Sequence, residues 1–402
     1  MKIRLWRLLG AIFVVALLAS ACGSDSDDAS SDTAPATTEA DSDADADADS
    51  DADSDADADA DSDADADADA DADSDADTDT VDVTQGSLLD SVIAADVLRC
   101  GTRDALPGFA FLNEDGSHEG FDNDFCRAIA AGILGDASKV EFVDLETADR
   151  FTALQSGEID VLVRNTTWTA GRDGGEGATF LQPNFYDGQG MMVATDSGFG
   201  SLEDLDGGVI CSAGGTTSEG NVANEFARLG LTGDVLSFDD TDLLQEAFQA
   251  GRCDGWTSDI SQLVSLRSNY PDGPDALTIL DTVFSKEPLA PAVIDGENEM
   301  AQAVNWAVFA VIQAEEWGIT SANIDDFLSD PNPNILKFLG VEVDGSTFNP
   351  GLGLSDDFNY QVVSQVGNYA EIYDQHITPL GLPRGNNEMW YNGGQLYAPP
   401  YR

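Results

Sequence analysis

Beyond residue 86 the apolar positions follow two alternating periods. VLRCG (97–101) and VEFVDL (140–145) read as short strands. Between them EGFDNDFCRAIAAGI places Phe125, Ile129 and Ile133 at spacing four, a helix expected to open at Asp122. TADRFTALQSGE is a second helix closed by Gly157, and IDVLV (159–163) is the next strand. After the glycine-rich segment YDGQGMMVAT (186–195) the pattern restarts: GGVICS as strand, GGTTSEGNVANEFARLG as turn and helix, DVLSF as strand. AFQAGRCDGW then repeats the helix–glycine–strand logic of ALQSGEIDVL. Strands alternating with helices predict an α/β protein with mainly parallel sheets, and the tandem repeat predicts two lobes flanking a groove. The expected division is 87–190 with 288–402 for lobe one and 191–287 for lobe two, with crossings at 186–196 and 284–293. AVNWAVFAVIQAEEWG is a strong helix that should pack back on lobe one, and the tail from about Gly345 shows few clear elements.

The front end follows neither period. MKIRLWR is basic and leads into LLGAIFVVALLASA, too short and wrongly flanked to span a membrane. Residues 1–22 therefore read as a secretory signal, and LLASAC resembles a bacterial lipobox with Cys22 as the lipidated residue. Ala19 stands where leucine is commonest. Residues 23–86 are an Asp-, Ala- and Ser-rich linker whose composition provides no apolar surface to offset chain entropy. It reads as a disordered spacer between an anchor and the folded part.

Charge changes the picture of partners. Of 76 acidic residues 26 lie in 23–82; the remaining 50, against 14 basic residues, leave 83–402 at −36. So negative a surface argues against nucleic acid and against adsorption on anionic lipid, leaving the lipid anchor as the expected membrane contact. It would suit a saline environment. Apart from Cys22 there are four cysteines, 100, 126, 211 and 253. In an exported chain an even number points to disulfides, with three pairings open. Cys100 and Cys126 flank the first strand–helix unit and Cys211 and Cys253 a later one, which favours Cys100–Cys126 and Cys211–Cys253. Without a CxxC, and with only His118 and His376, no metal or other cofactor is expected.

Ligands of α/β units bind where strands run into helices. Three such junctions stand out: RNTTWTAGRD (164–173) after IDVLV, GGTTSEGN (214–221) after VICS, and WTSD (256–259) after CDG. Thr216 followed by Glu219 reads as a capping box that exposes N–H groups, including those near Thr217 and Ser218, to an anion. Arg172, three residues beyond the expected cap Thr169, sits where the helix macrodipole disfavours a cation, so an anionic partner would account for it. Asp259 could hold an ammonium group, although a strand-end aspartate is more often a cap. Trp168, Phe109 and Phe111 are candidate walls, though aromatics more often belong to the core. Neither histidine forms a nucleophile–base motif, so an enzyme is not expected.

CGTRDALPGFAF, GFDNDFCRAIAAGILGD, RFTALQSGEIDVLVRNTTWTAGRD, YDGQGMMV, GTTSEGN, AGRCDGWTSD, SKEPLAPAV, EEWGITSANID, QVGNYAEIY and GGQLYAPPYR run in order through 100–402. Together they resemble the general L-amino-acid-binding proteins of bacterial polar amino acid ABC transporters, within extracellular solute-binding protein family 3. The resemblance implies a type II periplasmic-binding-protein-like clamp, outside the cytoplasm and acting as a monomer, that passes a free L-amino acid to a membrane permease. It implies that Arg172 grips the α-carboxylate with help from Thr217, and that Asp259 accepts the α-ammonium. It also implies that Asn165 and Thr167 flank the ligand at the strand end, and it supports the favoured cysteine pairing. Binders of cationic amino acids in the wider family carry an acidic residue and an aromatic where this chain has Arg103 and Leu106. Arg103 and Arg164 therefore point to glutamate, aspartate, glutamine or asparagine; the plainer alternative pairs Arg103 with Asp104 or Asp122. A cyclic-acid dehydratase on the same fold, or a sensory amino-acid-binding module, are the rival readings.

Overall fold

The computed structural model describes residues 87–349 and 351–401. The signal-like start, Cys22 and the acidic linker lie outside them.

Two five-stranded sheets share one plan. In the first, Val140–Asp144, Leu98–Thr102 and Val161–Leu162 run parallel, followed by the antiparallel Ala292–Ile294 and Ala178–Phe180. In the second, Gly233–Phe238, Gly208–Ala213 and Gly255–Asp259 run parallel, followed by the antiparallel Gln189–Ala194 and Leu277–Ile279. Parallel neighbours need a helical crossover, and the helices of the two repeated units supply it. The chain crosses between the lobes twice, through Phe185–Asp187 and Glu287–Leu289. These strands pair antiparallel with Asp187 opposite Glu287. Gln189–Ala194 already belongs to the second sheet, so the first crossing is confined to a few residues before it.

Lobe one carries the larger core. Helix Asn298–Trp317 buries Met300, Ala303, Val304, Ala307, Val308 and Val311 at helical spacing. It packs, with the C-terminal segment, on helix Phe121–Leu134. The tail is more ordered than its pattern promised. It contains helices Phe358–Val366 and Tyr369–His376, the second opened by a capping box of Asn368 and Glu371. Helix Phe121–Leu134 begins one step before the expected start. Gly120 is its N-cap at φ 129°, and a Cβ there would meet the Phe109 carbonyl oxygen at 2.2 Å. Asp122 instead lies buried in the first turn.

The sulfurs of Cys100 and Cys126 lie at disulfide distance, as do those of Cys211 and Cys253. Each bridge fastens one lobe internally, closing loops of 26 and 42 residues. Loops of that length correspond to about 3–4 kcal/mol apiece on chain-entropy grounds.

Candidate functional site

The three junctions converge on one groove at the carboxyl ends of the parallel strands. From lobe one, the chain leaves strand Val161–Leu162 through Asn165, which adopts φ 30°, rare for a residue with a side chain. Its backbone is held there by Asp122, whose Oδ2 accepts from Asn165 N at 2.8 Å. The other oxygen of Asp122 accepts from Asn184 at 3.2 Å. Burial nevertheless raises the pKa of Asp122 to about 6. The Asn165 amide donates across the groove to Gln262 Oε1 at 3.1 Å, while its own Oδ1 is buried with no partner.

Thr169 caps the short helix Ala170–Gly175 by accepting from Arg172 N at 3.1 Å. Arg172 Nη1 then donates to the Thr167 carbonyl (3.0 Å) and Nη2 to the Gly215 carbonyl of lobe two (3.2 Å). Three further arginines line the same groove. Arg150 bonds the Thr147 carbonyl, Thr166 Oγ1 and, across the groove, Gly215 O at 3.3 Å. Arg164 donates to Leu145 O at 2.8 Å and to Thr147 Oγ1 at 3.2 Å. Arg103 forms no ion pair with Asp104 or Asp122 among the described residues, and its Nε is buried without a partner. Burial depresses the pKa of all four; for Arg150 and Arg164 the neighbouring guanidinium groups add to it, and Arg150 comes down to about 9. The guanidinium groups crowd one another, and the mutual repulsion is one that an anion would relieve.

Lobe two supplies the N-terminus of helix Thr217–Leu229 and the end of strand Gly255–Asp259. The expected capping box does not form. Thr216 Oγ1 bonds Ala213 O rather than the helix, and Glu219 reaches back to Gly215 N. The Thr217 hydroxyl is also engaged, donating to Glu287 Oε2 at 2.9 Å. That leaves the first-turn N–H groups near Thr217 and Ser218 as the donors lining the groove. Asp259 caps helix Ile260–Ser268 by position but not by a side-chain bond. It is buried, and burial, then Asp187 and then Glu287, push its pKa well above the usual carboxylate range.

Not every expected residue reaches the groove. The Trp168 indole stacks on Phe180 with centroids 6.4 Å apart and does not line the cavity. Its backbone N–H is spent on Pro288 O. Phe109 lies fully inside the aromatic core with Phe121 and Phe185, and Phe111 lies in a hairpin strand away from the groove. Conversely, Arg150, Thr147 and Gln262 line the groove and were not singled out in the sequence. Arg150 is the first residue of its helix and Arg172 lies in the first turn of its own, so the macrodipole argument applied to Arg172 would have found Arg150 too.

The lobes are drawn together by direct bonds, Arg172 and Arg150 to Gly215, Asn165 to Gln262, and Ser265 Oγ to Pro107 O at 2.6 Å. The cavity between them is about 20 Å³, room for roughly one water. A larger guest requires the lobes to part. Two α/β lobes, two crossing strands and a buried polar groove between them define a solute-binding clamp. The chain belongs to the bacterial extracellular solute-binding proteins, family 3, whose profile matches residues 98–322. It is 44% identical over 317 residues to the general L-amino acid-binding periplasmic protein AapJ of Rhizobium johnstonii, covering 78% of this chain and 92% of that protein. Against the glutamate/glutamine/aspartate/asparagine-binding protein BztA of Rhodobacter capsulatus it is 43% identical over 320 residues, covering 79% and 94%. A solved structure described as an ABC transporter/periplasmic binding protein from Brucella ovis with glutathione bound superposes with TM-score 0.76 at 41% identity. It covers 79% of this chain and 100% of that one. These relatives are named as binding proteins rather than enzymes, the Brucella one in connection with an ABC transporter, and the family is extracytoplasmic.

Proposed function

We propose that the protein closes over a free L-amino acid with an acidic or amide side chain and delivers it to the permease of an ABC importer. The observation that carries this reading is the polarity of the groove: four arginines, 103, 150, 164 and 172, on lobe one, facing the buried Asp259 of lobe two. Arg172 and the N–H groups at Thr217 and Ser218 take the α-carboxylate, where a helix N-terminus and a fixed cation reinforce each other. Asp259 takes the α-ammonium. Asn165, with its unpartnered Oδ1, and Thr167 flank the ligand. One α-carboxylate leaves Arg103, Arg150 and Arg164 facing the side chain, which favours glutamate, aspartate, glutamine and asparagine. The Rhodobacter relative, named for binding glutamate, glutamine, aspartate and asparagine, agrees, and glutathione, bound by the Brucella neighbour, presents a glutamyl head. The chain is further proposed to act as a monomer anchored through a lipid on Cys22, with 23–86 as spacer.

A thermal-shift panel of the twenty amino acids on the purified protein tests this. A ligand at a hundred times its Kd adds about 2.7 kcal/mol to stability, a shift easily read. The four acidic and amide amino acids should give the largest shifts, and a panel with no shift at all would remove the reading. Calorimetric titration of Arg103→Ala with glutamate then tests the side-chain assignment; an unchanged affinity would take Arg103 out of the site.

A further inference from the structure

The groove does not end at the arginines. Arg103 and Arg164 also form the inner wall of a second cavity, about 280 Å³, that opens at the lip of the cleft. That volume approaches the lower end of small-ligand pockets, about 300 Å³. Lobe one contributes Asp104 and Glu146 to it and lobe two Asp240 and Asp242, so carboxylates face one another across the lip. Arg103 borders both cavities with a buried Nε that has no partner, which separates this lip from an ordinary acidic surface patch.

We infer that the amino-acid site continues past Arg103 into this outer cavity and accepts γ-glutamyl amides, preferring an uncharged or ammonium-bearing extension to one that ends in a carboxylate. The inference rests on the amino-acid reading above. A glutamyl head occupies the inner site as a free amino acid would, and the γ-amide carbonyl passes Arg103, where it offers the acceptor that Nε lacks. Beyond that point the extension meets the acidic lip. Burial lowers the pKa of Arg103 and the nearby carboxylates offset only part of it, while a distal carboxylate reaching the lip would meet Asp104, Glu146, Asp240 and Asp242 beside it. Asp240 is committed as the helix cap, its Oδ1 accepting from Asp242 N and Leu243 N. Asp242 and Glu146 are exposed and serve no such bond, so they can be neutralised without disturbing the fold.

Calorimetry with L-glutamine, γ-glutamylethylamide, a γ-glutamylated diaminobutane and γ-glutamylglycine separates the possibilities. The ethylamide should bind within about tenfold of glutamine, because a linear extension enters existing space. At low salt the ammonium-ended ligand should bind about fivefold tighter than the carboxylate-ended one, a margin that shrinks in about 0.5 M salt because exposed charges are screened. The double variant Glu146→Gln, Asp242→Asn should reduce that margin and leave glutamine binding as it was. Glutamine binding with no measurable binding of any γ-substituted ligand overturns the extension and leaves the amino-acid reading intact. A carboxylate-ended ligand that binds as tightly as the ammonium-ended one overturns the charge preference. Binding of none of the four, with no response to any amino acid, removes the amino-acid reading and the extension with it.

Discussion

Asp259 is a carboxyl group that burial and two acidic neighbours hold in favour of its proton. An α-ammonium beside it reverses that balance, because a nearby cation stabilises the carboxylate. The free protein therefore binds more protons at this site than the complex, and linkage fixes the sign. Affinity should rise with pH as Asp259 of the free protein loses its proton, and level off above that pKa. Titrations in buffers of different ionisation enthalpy should show net proton release on binding; uptake, or no exchange below the free pKa, would place the ammonium elsewhere. Arg172→Ala removes the opposite pole and strands the ligand's buried carboxylate, so it should weaken binding by about 3–5 kcal/mol, a loss of about two to nearly four orders of magnitude. Its circular dichroism and melting profile should stay close to wild type, and an affinity within twofold of wild type would show the pole is misassigned. Arg172 was legible in the sequence as a cation at a helix start, which the macrodipole disfavours, whereas Asp259 stood out chiefly through the family resemblance, since a strand-end aspartate is more often a cap. Arg150 was open to the same macrodipole argument at its helix start, but that it reaches across to Gly215 emerges only on folding.

At the scale of elements, the hinge strand Glu287–Leu289 is coupled to the helix that faces the ligand. Glu287 accepts from Thr217 Oγ1 (2.9 Å), Asn221 Nδ2 (2.7 Å) and Ser285 Oγ (2.5 Å), and it is buried opposite Asp187. Asp187 itself, deprived of solvent and close to Glu287, has its pKa raised to about 6. The position of helix Thr217–Leu229 therefore depends on the hinge, and the Thr217 hydroxyl serves the hinge before it serves a ligand. Glu287→Ala should cost about 2–4 kcal/mol in denaturant unfolding, because it leaves several donors without a partner. Thr217→Val should cost only about 1 kcal/mol of stability and little affinity, since its backbone N–H is retained. An affinity loss for Thr217→Val as large as that for Arg172→Ala would show that the hydroxyl contacts the ligand directly. This network was not readable from SKEPLAP, where a lysine beside the glutamate looks like a solvated pair. The alternation of strands and helices was readable because short apolar runs such as IDVLV and VICS alternate with segments of helical period and end at glycines. The C-terminal helices were not, since FNYQVVSQV and YAEIYDQH are short, broken by Gly367, and owe their burial to lobe one.

The whole molecule sets charge against cohesion. Residues 83–402 carry −36, and the described residues hold few ion pairs, among them Arg99–Asp160, Lys139–Asp96 and Arg384–Glu315. Most acidic side chains therefore face solvent without a fixed partner and repel one another. Repulsion of this kind opposes the compact state and is relieved when the Debye length falls from about 30 Å at 0.01 M salt to about 3 Å at 1 M. The groove is the exception, a cationic interior within an anionic shell, shielded by burial from the same screening. Two responses to salt should thus separate. Unfolding free energy should rise from low to molar sodium chloride as surface repulsion is screened, whereas affinity for a zwitterionic amino acid should change by less than about threefold because its partners are buried. Denaturant titrations and calorimetry at matched salt concentrations measure the two directly. Stability that stays flat across that range would mean the acidic surface is not a source of strain, and with it would go the physical case that the protein is suited to a saline medium. An affinity that falls steeply with salt would instead place the ligand's charges at the exposed lip rather than against Arg172 and Asp259.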